Sequence, residues 1–186
     1  MDRRQQKTRN AIFKAFIALL SKESFSRITV QEIIDKADVG RTTFYAHFIS
    51  KEALLKALCE ELFSHIFRST SASVPEHGLY SDDSVPDSVF CHLLQHLKKN
   101  DNNILALLSC SDNEIFLSYF RENLNSLVHS LLKTQIERRN DIPQDFLVNH
   151  ISGSFVEMVL WWIRDNLRES PERLDRYFRA VIEPIL

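Results

Sequence analysis

Between Arg41 and His47 the sequence RTTFYAH gathers five side chains that can hydrogen-bond a nucleic acid. Arginine can fork onto guanine, so Arg41 is a candidate base reader. Thr42 and Thr43 can touch base edges or a thymine methyl, and Tyr45 and His47 can reach phosphates. Partial packing against the first helix is the alternative for Tyr45, and plain solvent exposure for His47. Other groupings are poorer. His92 and His96 lie one helical turn apart beside Cys91, a possible metal pair, but no fourth ligand accompanies them and no metal is expected. Cys110, His129, His150 and Glu157 are polar residues that could line a ligand pocket among apolar walls, or serve equally as satisfied polar groups. The sequence holds no nucleophile elbow, phosphate loop or paired-carboxylate motif, so neither an enzyme nor a cofactor is expected.

Side chains on a seven-residue helix act in concert only if neighbouring elements hold that helix. Upstream, Thr29-Val30-Gln31-Glu32 has the form of a capping box that starts a helix running to about Ala37. Asp38-Val39-Gly40 reads as a tight turn in which Gly40 can take backbone angles closed to other residues. Phe44 and Phe48 lie four apart and face one way. Ser50 caps a long helix over about 51–68, with Leu54, Leu55, Leu58, Leu62 and Ile66 along one side. This order of capped helix, turn, short helix and capped helix is what a helix-turn-helix requires, with Val30, Ile34, Val39, Phe44 and Phe48 as its small core. A first helix over about 3–22, apolar at Ile12, Ala15, Phe16, Leu19 and Leu20, precedes the break SFSR.

Charge points the same way. Residues 1–51 hold ten basic side chains against five acidic ones, a net +5, so the remainder carries −7 of the total −2. A basic head on an acidic body implies a polyanion partner for the head alone.

The segment ITVQEIIDKADVGRTTFYAHFISKEALL (28–55) resembles the signature of the TetR family of bacterial regulators: a Thr-capped helix 2, an A-x-V turn, a helix 3 ending in T-F-Y-x-H-F, and S-K-E-x-L opening helix 4. The resemblance covers about the first third of the chain. It implies an all-α fold, in which a three-helix DNA-binding domain (1–51) is joined by a long helix 4 to a helical regulatory and dimerisation domain (52–186). It also implies a regulator, in most relatives a repressor, that binds double-stranded operator DNA as a homodimer and answers to a small-molecule effector or a protein coregulator. Carried over by position, Thr29 anchors a phosphate through its hydroxyl or its helix N-terminus. Arg41, Thr42 and Thr43 read bases or adjoining phosphates, Tyr45 and His47 contact the backbone, and Lys51 clamps a phosphate. Gly40 stands where many relatives have serine, which removes one phosphate-bonding hydroxyl. The pattern WWIRDNLRESPE (161–172) is similar to a subgroup related to regulators of dihydroxyacetone kinase genes, some of which respond to a protein coregulator.

Beyond a Ser-, Asp-, Pro- and Gly-containing loop over 69–86, helices are expected near 87–99, 102–110, 112–139, 143–168 and 171–184. The helix 143–168 carries two apolar stripes, Leu147-Ile151-Phe155-Met158-Trp162 and Val148-Val156-Val159-Ile163-Leu167. A helix apolar on two sides must bury both: one side in its own domain and the other against a partner is a natural solution, and burial of both within a monomer is the alternative. Gly153 and Ser154 permit close helix approach. With the final helix (Leu174, Tyr177, Phe178, Val181, Ile182 and Ile185) it could form a four-helix bundle across a two-fold axis. Phe155, Val159, Trp162, Phe178 and Ile182 are the candidate seam residues, although helix phase alone does not choose the stripe.

Composition limits the other classes. With 3 Gly and 5 Pro in 186 residues, turns are few and long helices are favoured. Three scattered cysteines read as reduced thiols of a cytoplasmic protein. MDRRQQKTRNAIFKAFIALL has the outline of a signal peptide, but Lys14 interrupts its apolar run and SKESFSR follows in place of a cleavage site. No stretch is expected to reach the ~20 apolar residues of a membrane span.

Overall fold

The computed structural model describes residues 3–71, 88–99, 104–109, 114–139 and 141–186. Among them every regular element is helical, as the all-α reading requires. The chain divides into two compact units. The first gathers α1 (Arg3–Leu20), α2 (Val30–Ala37), α3 (Arg41–His47) and the opening turns of α4 (Lys51–Ser71), with α6 (Ile104–Ser109) and the start of α7 (Glu114–Leu131). The second gathers the rest of α4 and α7 with α5 (Val89–Lys99), α8 (Lys133–Arg138), α9 (Gln144–Arg164) and α10 (Pro171–Ile182).

In the first unit α1 buries Ile12, Phe13, Ala15, Phe16 and Leu20, while Leu19, expected on that face, is half-buried. Phe25, from the segment read only as a break, and Ile28 just after it are also core residues, and the Phe25 ring meets Phe16 edge-on at 6.2 Å. From α2, Ile33 and Ile34 are buried and Val30 and Ala37 half-buried, as is Val39 of the turn. The turn departs from expectation at one position. Gly40 has an ordinary extended conformation (φ −73°, ψ 151°), and Asp38 is the left-handed residue (φ 53°, ψ 50°). The Asp38 and Val39 amides both fold back onto carbonyls of α2, which closes the helix by an αL cap without glycine. Aspartate tolerates that region better than most non-glycine residues.

In the second unit the core centres on Phe90, Phe155 and Phe178, whose ring centroids lie 4.9–5.5 Å apart. Ser88 caps α5 by accepting from the Cys91 amide at 3.0 Å and donates its own proton to Asp175 of α10. Asp175 is buried, and its charge is paired by two Arg179 hydrogen bonds of 2.7 and 2.9 Å. A buried carboxylate is tolerated only when so satisfied. The helix expected over 112–139 is interrupted at Leu132 (φ −106°, ψ 15°), a break that leaves both Leu132 and Ile136 buried.

The helix expected over 143–168 ends at Arg164. Asn166 and Leu167 take φ of 54° and 55°, and the Leu167 amide reaches back to the Trp162 carbonyl at 2.9 Å, so Leu167 belongs to the link and to no helical stripe. The Trp162 indole donates to the Glu169 carbonyl at 3.0 Å and ties that link down. Contrary to the reading of the sequence, α9 is long and apolar enough, by length and composition, to cross a membrane. Eight of its side chains, seven of them apolar, are buried in the second unit, while Phe146 and Trp161 are exposed. Cys59 and Cys91 are buried and form no disulfide. Of the loop expected over 69–86, residues 69–71 extend α4; the remainder lies outside the described residues.

Candidate nucleic-acid interface

The inner side of α3 is set by aromatic packing. Phe44 and Phe48 are buried with ring centroids 6.1 Å apart, and Phe48 meets Phe13 of α1 at 5.5 Å. The Arg9 guanidinium lies 4.9 Å from the Phe13 and Phe48 ring centroids and 4.0 Å from Glu61. A cation held over two ring faces ties α1 to the residue that ends α3. The sequence carried a signal for it, since Arg9 stands four residues before Phe13 on one helical face, but only its charge was counted.

With that side fixed, Arg41, Thr42, Thr43 and Tyr45 are all exposed. The Arg41 guanidinium lies 5.8 Å from the Tyr45 ring centroid, and the Tyr45 ring, 43% exposed, stands edge-on to Phe44 at 5.4 Å. Tyr45 therefore rests on Phe44 and Arg41 of α3 itself and stays exposed. His47 is half-buried with its ring 6.3 Å from Phe48. Just beyond, Ile49 is 83% exposed, an apolar side chain on the rim of a polar face that the reading of the sequence passed over.

Thr29 begins α2 as a complete capping box. Its hydroxyl accepts from the Glu32 amide at 3.2 Å and donates to Glu32 Oε2 at 2.7 Å, while its own amide donates to the same oxygen at 2.7 Å. The hydrogen bond from the Thr29 hydroxyl, then that from the Thr29 amide, and last the nearby Lys51 charge hold the Glu32 carboxyl below its ordinary value of 4.5. With the hydroxyl and the Thr29 and Glu32 amides committed to the cap, the Val30 and Gln31 amides are the first-turn donors left without a partner in the helix.

Lys51 is arranged differently from a solvent-facing clamp. Its ammonium donates to the carbonyls of Phe25 at 2.9 Å, Ser26 at 3.2 Å and Ile28 at 2.8 Å, and lies 4.7 Å from the Phe25 ring centroid. Ser50 caps α4 by accepting from the Ala53 amide at 3.2 Å.

The second unit redistributes the residues singled out there. Phe155, Val159, Trp162, Phe178 and Ile182, the expected seam, are all buried within a single chain. The two stripes of α9 lie close enough around the helix to form one broad face, and that face is the subunit's own core. A third row is left outward: Phe146 (58% exposed), His150, Gly153, Glu157 and Trp161 (44% exposed). A Cβ placed on Gly153 would meet nothing within 4 Å. On α10 the corresponding outward residues are Tyr177 and Val181 (61% exposed). This row was legible at the same helical period but was masked by its His, Gly and Glu members. His129, His150 and Glu157 are exposed, with His150 stacked on Phe146 at 6.0 Å, and Cys110 lies outside the described residues. Among the described residues no group of three or more His, Cys, Asp or Glu is placed to hold a metal ion; the His92 and His96 rings pack on each other at 4.7 Å.

Two family descriptions match the chain: "Bacterial regulatory proteins, tetR family" over residues 12–58 and "Transcriptional regulator C-terminal region" (TetR_C_8) over residues 85–184. A TetR transcriptional regulator from Streptococcus agalactiae 2603V has a solved structure that superposes with a TM-score of 0.72 at 36% identity, covering 97% of this chain and 96% of that one. The helix-turn-helix-type regulator YxbF of Bacillus subtilis is 25% identical over 196 residues, 98% of this chain. The chain spans only 46% of that relative's length. The helix-turn-helix-type transcriptional repressor DhaR of a Mycobacterium species is 23% identical over 188 residues, 89% of this chain and 85% of the relative.

Proposed function

The chain belongs to the tetR family of bacterial regulatory proteins, and on that footing we propose that it is a cytoplasmic transcriptional repressor that binds a palindromic operator as a homodimer. One observation carries the reading: α3 buries Phe44 and leaves Arg41, Thr42, Thr43 and Tyr45 outward, a short polar rod sized for the major groove. Arg41, Thr42 and Thr43 contact base edges, Tyr45 and His47 the backbone, and the N-terminus of α2 at Thr29 a phosphate. Exposed Arg3, Arg4 and Lys7 at the start of α1 add sequence-independent attraction. The domain division is that proposed from the sequence: a DNA-binding domain over 1–51 and a regulatory and dimerisation domain over 52–186.

The outward row of α9, with Tyr177 and Val181 of α10, supplies the dimer surface, and Gly153 lets two helix backbones approach closely. Pairing of these helices across a two-fold axis sets two recognition helices about 34 Å apart, the repeat of successive major grooves on one side of DNA. An effector acting on the C-terminal domain favours a dimer of different spacing. Lowering operator affinity 100-fold in this way takes about 2.7 kcal/mol of coupling, within the usual allosteric range. Sequencing the genomic fragments retained by the purified protein, followed by footprinting, tests the reading. A palindrome with half-sites about one helical turn apart is expected; retention of random fragments alone would falsify it.

A further inference from the structure

Lys51 stands in the first turn of α4, where a cation opposes the helix dipole and a carboxylate would be the favoured charge. Its position is explained by what the side chain reaches. An ammonium has three donors and no acceptor, and here three carbonyls within 3.2 Å take it up. All three belong to the turn between α1 and α2, whose Phe25 and Ile28 side chains are buried in the unit's core. Carbonyls of an irregular segment need partners wherever water is thinned out, and Lys51 supplies three at once. The same turn leads directly into the Thr29 cap, so whatever fixes the turn fixes the start of α2.

We propose that Lys51 is a positioning residue for DNA binding, pinning the α1–α2 turn to the N-terminus of α4 and leaving phosphate contact to other groups. The inference rests on the DNA-binding reading above. It differs from the phosphate clamp that position 51 suggests, and chemistry separates the two. A clamp needs reach and positive charge, which arginine supplies as well as lysine or better. A pin needs three donors diverging from one compact atom, which a planar guanidinium cannot present.

The first test uses the unaltered protein. With 15N-labelled lysine, the Lys51 ζ-ammonium is expected as a slowly exchanging resonance in the DNA-free protein, and to stay in place as a footprinted duplex is added. The second uses Lys51→Arg and Lys51→Met, with helical content checked by circular dichroism. Lys51→Arg is expected to lose about tenfold in operator affinity, with a smaller loss for random DNA. The salt dependence of both variants keeps the wild-type slope, because no phosphate contact is removed. Lys51→Arg binding like the wild type, an ammonium resonance that shifts when DNA is added, or a salt slope reduced by about one in Lys51→Met overturns the assignment. If the wild type binds no duplex, the DNA-binding reading fails instead, and the free-protein resonance still decides whether the pin exists.

Discussion

The head and the α9–α10 face position their outward residues by different means. In the head, directional polar contacts add to the aromatic packing beneath α3: a reciprocal Thr29–Glu32 cap, an αL cap at Asp38, an Arg9 cation over two rings and an ammonium on three carbonyls. In α9 and α10, packing sets it: the Phe90–Phe155–Phe178 cluster holds one side, and whatever is not in that cluster faces outward. Directional contacts are readable from residue types at fixed spacing, whereas packing depends on which of several apolar rows finds the core. The head should thus be sensitive to single polar groups, and the face to buried volume.

The widest gap between the two regions should appear on removing core volume from the second. Phe155→Ala is expected to cost about 3–5 kcal/mol and to broaden or abolish the cooperative urea transition of that unit. Trp161→Glu, two turns along the same helix but on its outward side, should leave helical content intact and convert dimers to monomers in sedimentation velocity, because an unpaired charge at a buried seam costs several kcal/mol. If Trp161→Glu unfolds the protein while Phe155→Ala merely dissociates it, the assignment of inner and outer rows is reversed.

Smaller effects belong to the head. Arg41→Ala and Thr42→Ala should each cost about 1–3 kcal/mol on operator DNA with less change on random DNA, since a lost base contact weakens only the sequence that offered it. Equal losses on both DNAs would reassign these residues to phosphates.

Thr29→Ala should cost about 1 kcal/mol of stability, read as a lower midpoint in thermal melts. The cap also predicts a pH dependence. Glu32 is held below 4.5 when folded, so its ionised form favours the native state. The contribution is present in full above about pH 5 and is lost as the pH falls below 4.5 through the folded value. Glu32→Gln should flatten that part of the stability profile.

The smallest effect expected is at Gly40, which starts α3 without a side-chain cap in a conformation open to any residue. A Cβ there meets only Thr43 Oγ1 at an ordinary 3.6 Å, so Gly40→Ser should stabilise by a few tenths of a kcal/mol. Destabilisation measured by urea titration would mean that the turn needs glycine after all.

These contrasts also explain what could be read before any coordinates. The capping box, the short α3 and its exposed Arg41-Thr42-Thr43 face were legible because each rests on contacts within four residues. The left-handed residue was misplaced from Asp38 to Gly40 because glycine is the usual occupant, and nothing local shows that an aspartate has taken that conformation. Lys51 could be matched to a motif, but its three carbonyl partners lie 23–26 residues away and follow only from the fold. For α9, periodicity found apolar rows but not their rank. Phe155 and Trp162 went inward with their neighbours, and the row broken by Gly153 and Glu157 was left at the surface.

Two buried cysteines, Cys59 and Cys91, provide a clock for each half of the molecule. Cys59 lies in the first unit and Cys91 in the second, and neither side chain can meet a water-borne reagent until its surroundings open. In a protein whose Cys110 is replaced by serine, the labelling rate of each thiol measures the opening equilibrium around it whenever reclosing outruns the chemistry. Equal rates would mean that the regulator breathes as one cooperative body. A faster rate at Cys59 that DNA suppresses, with Cys91 unchanged, would mean that the head opens on its own and is quieted by its target.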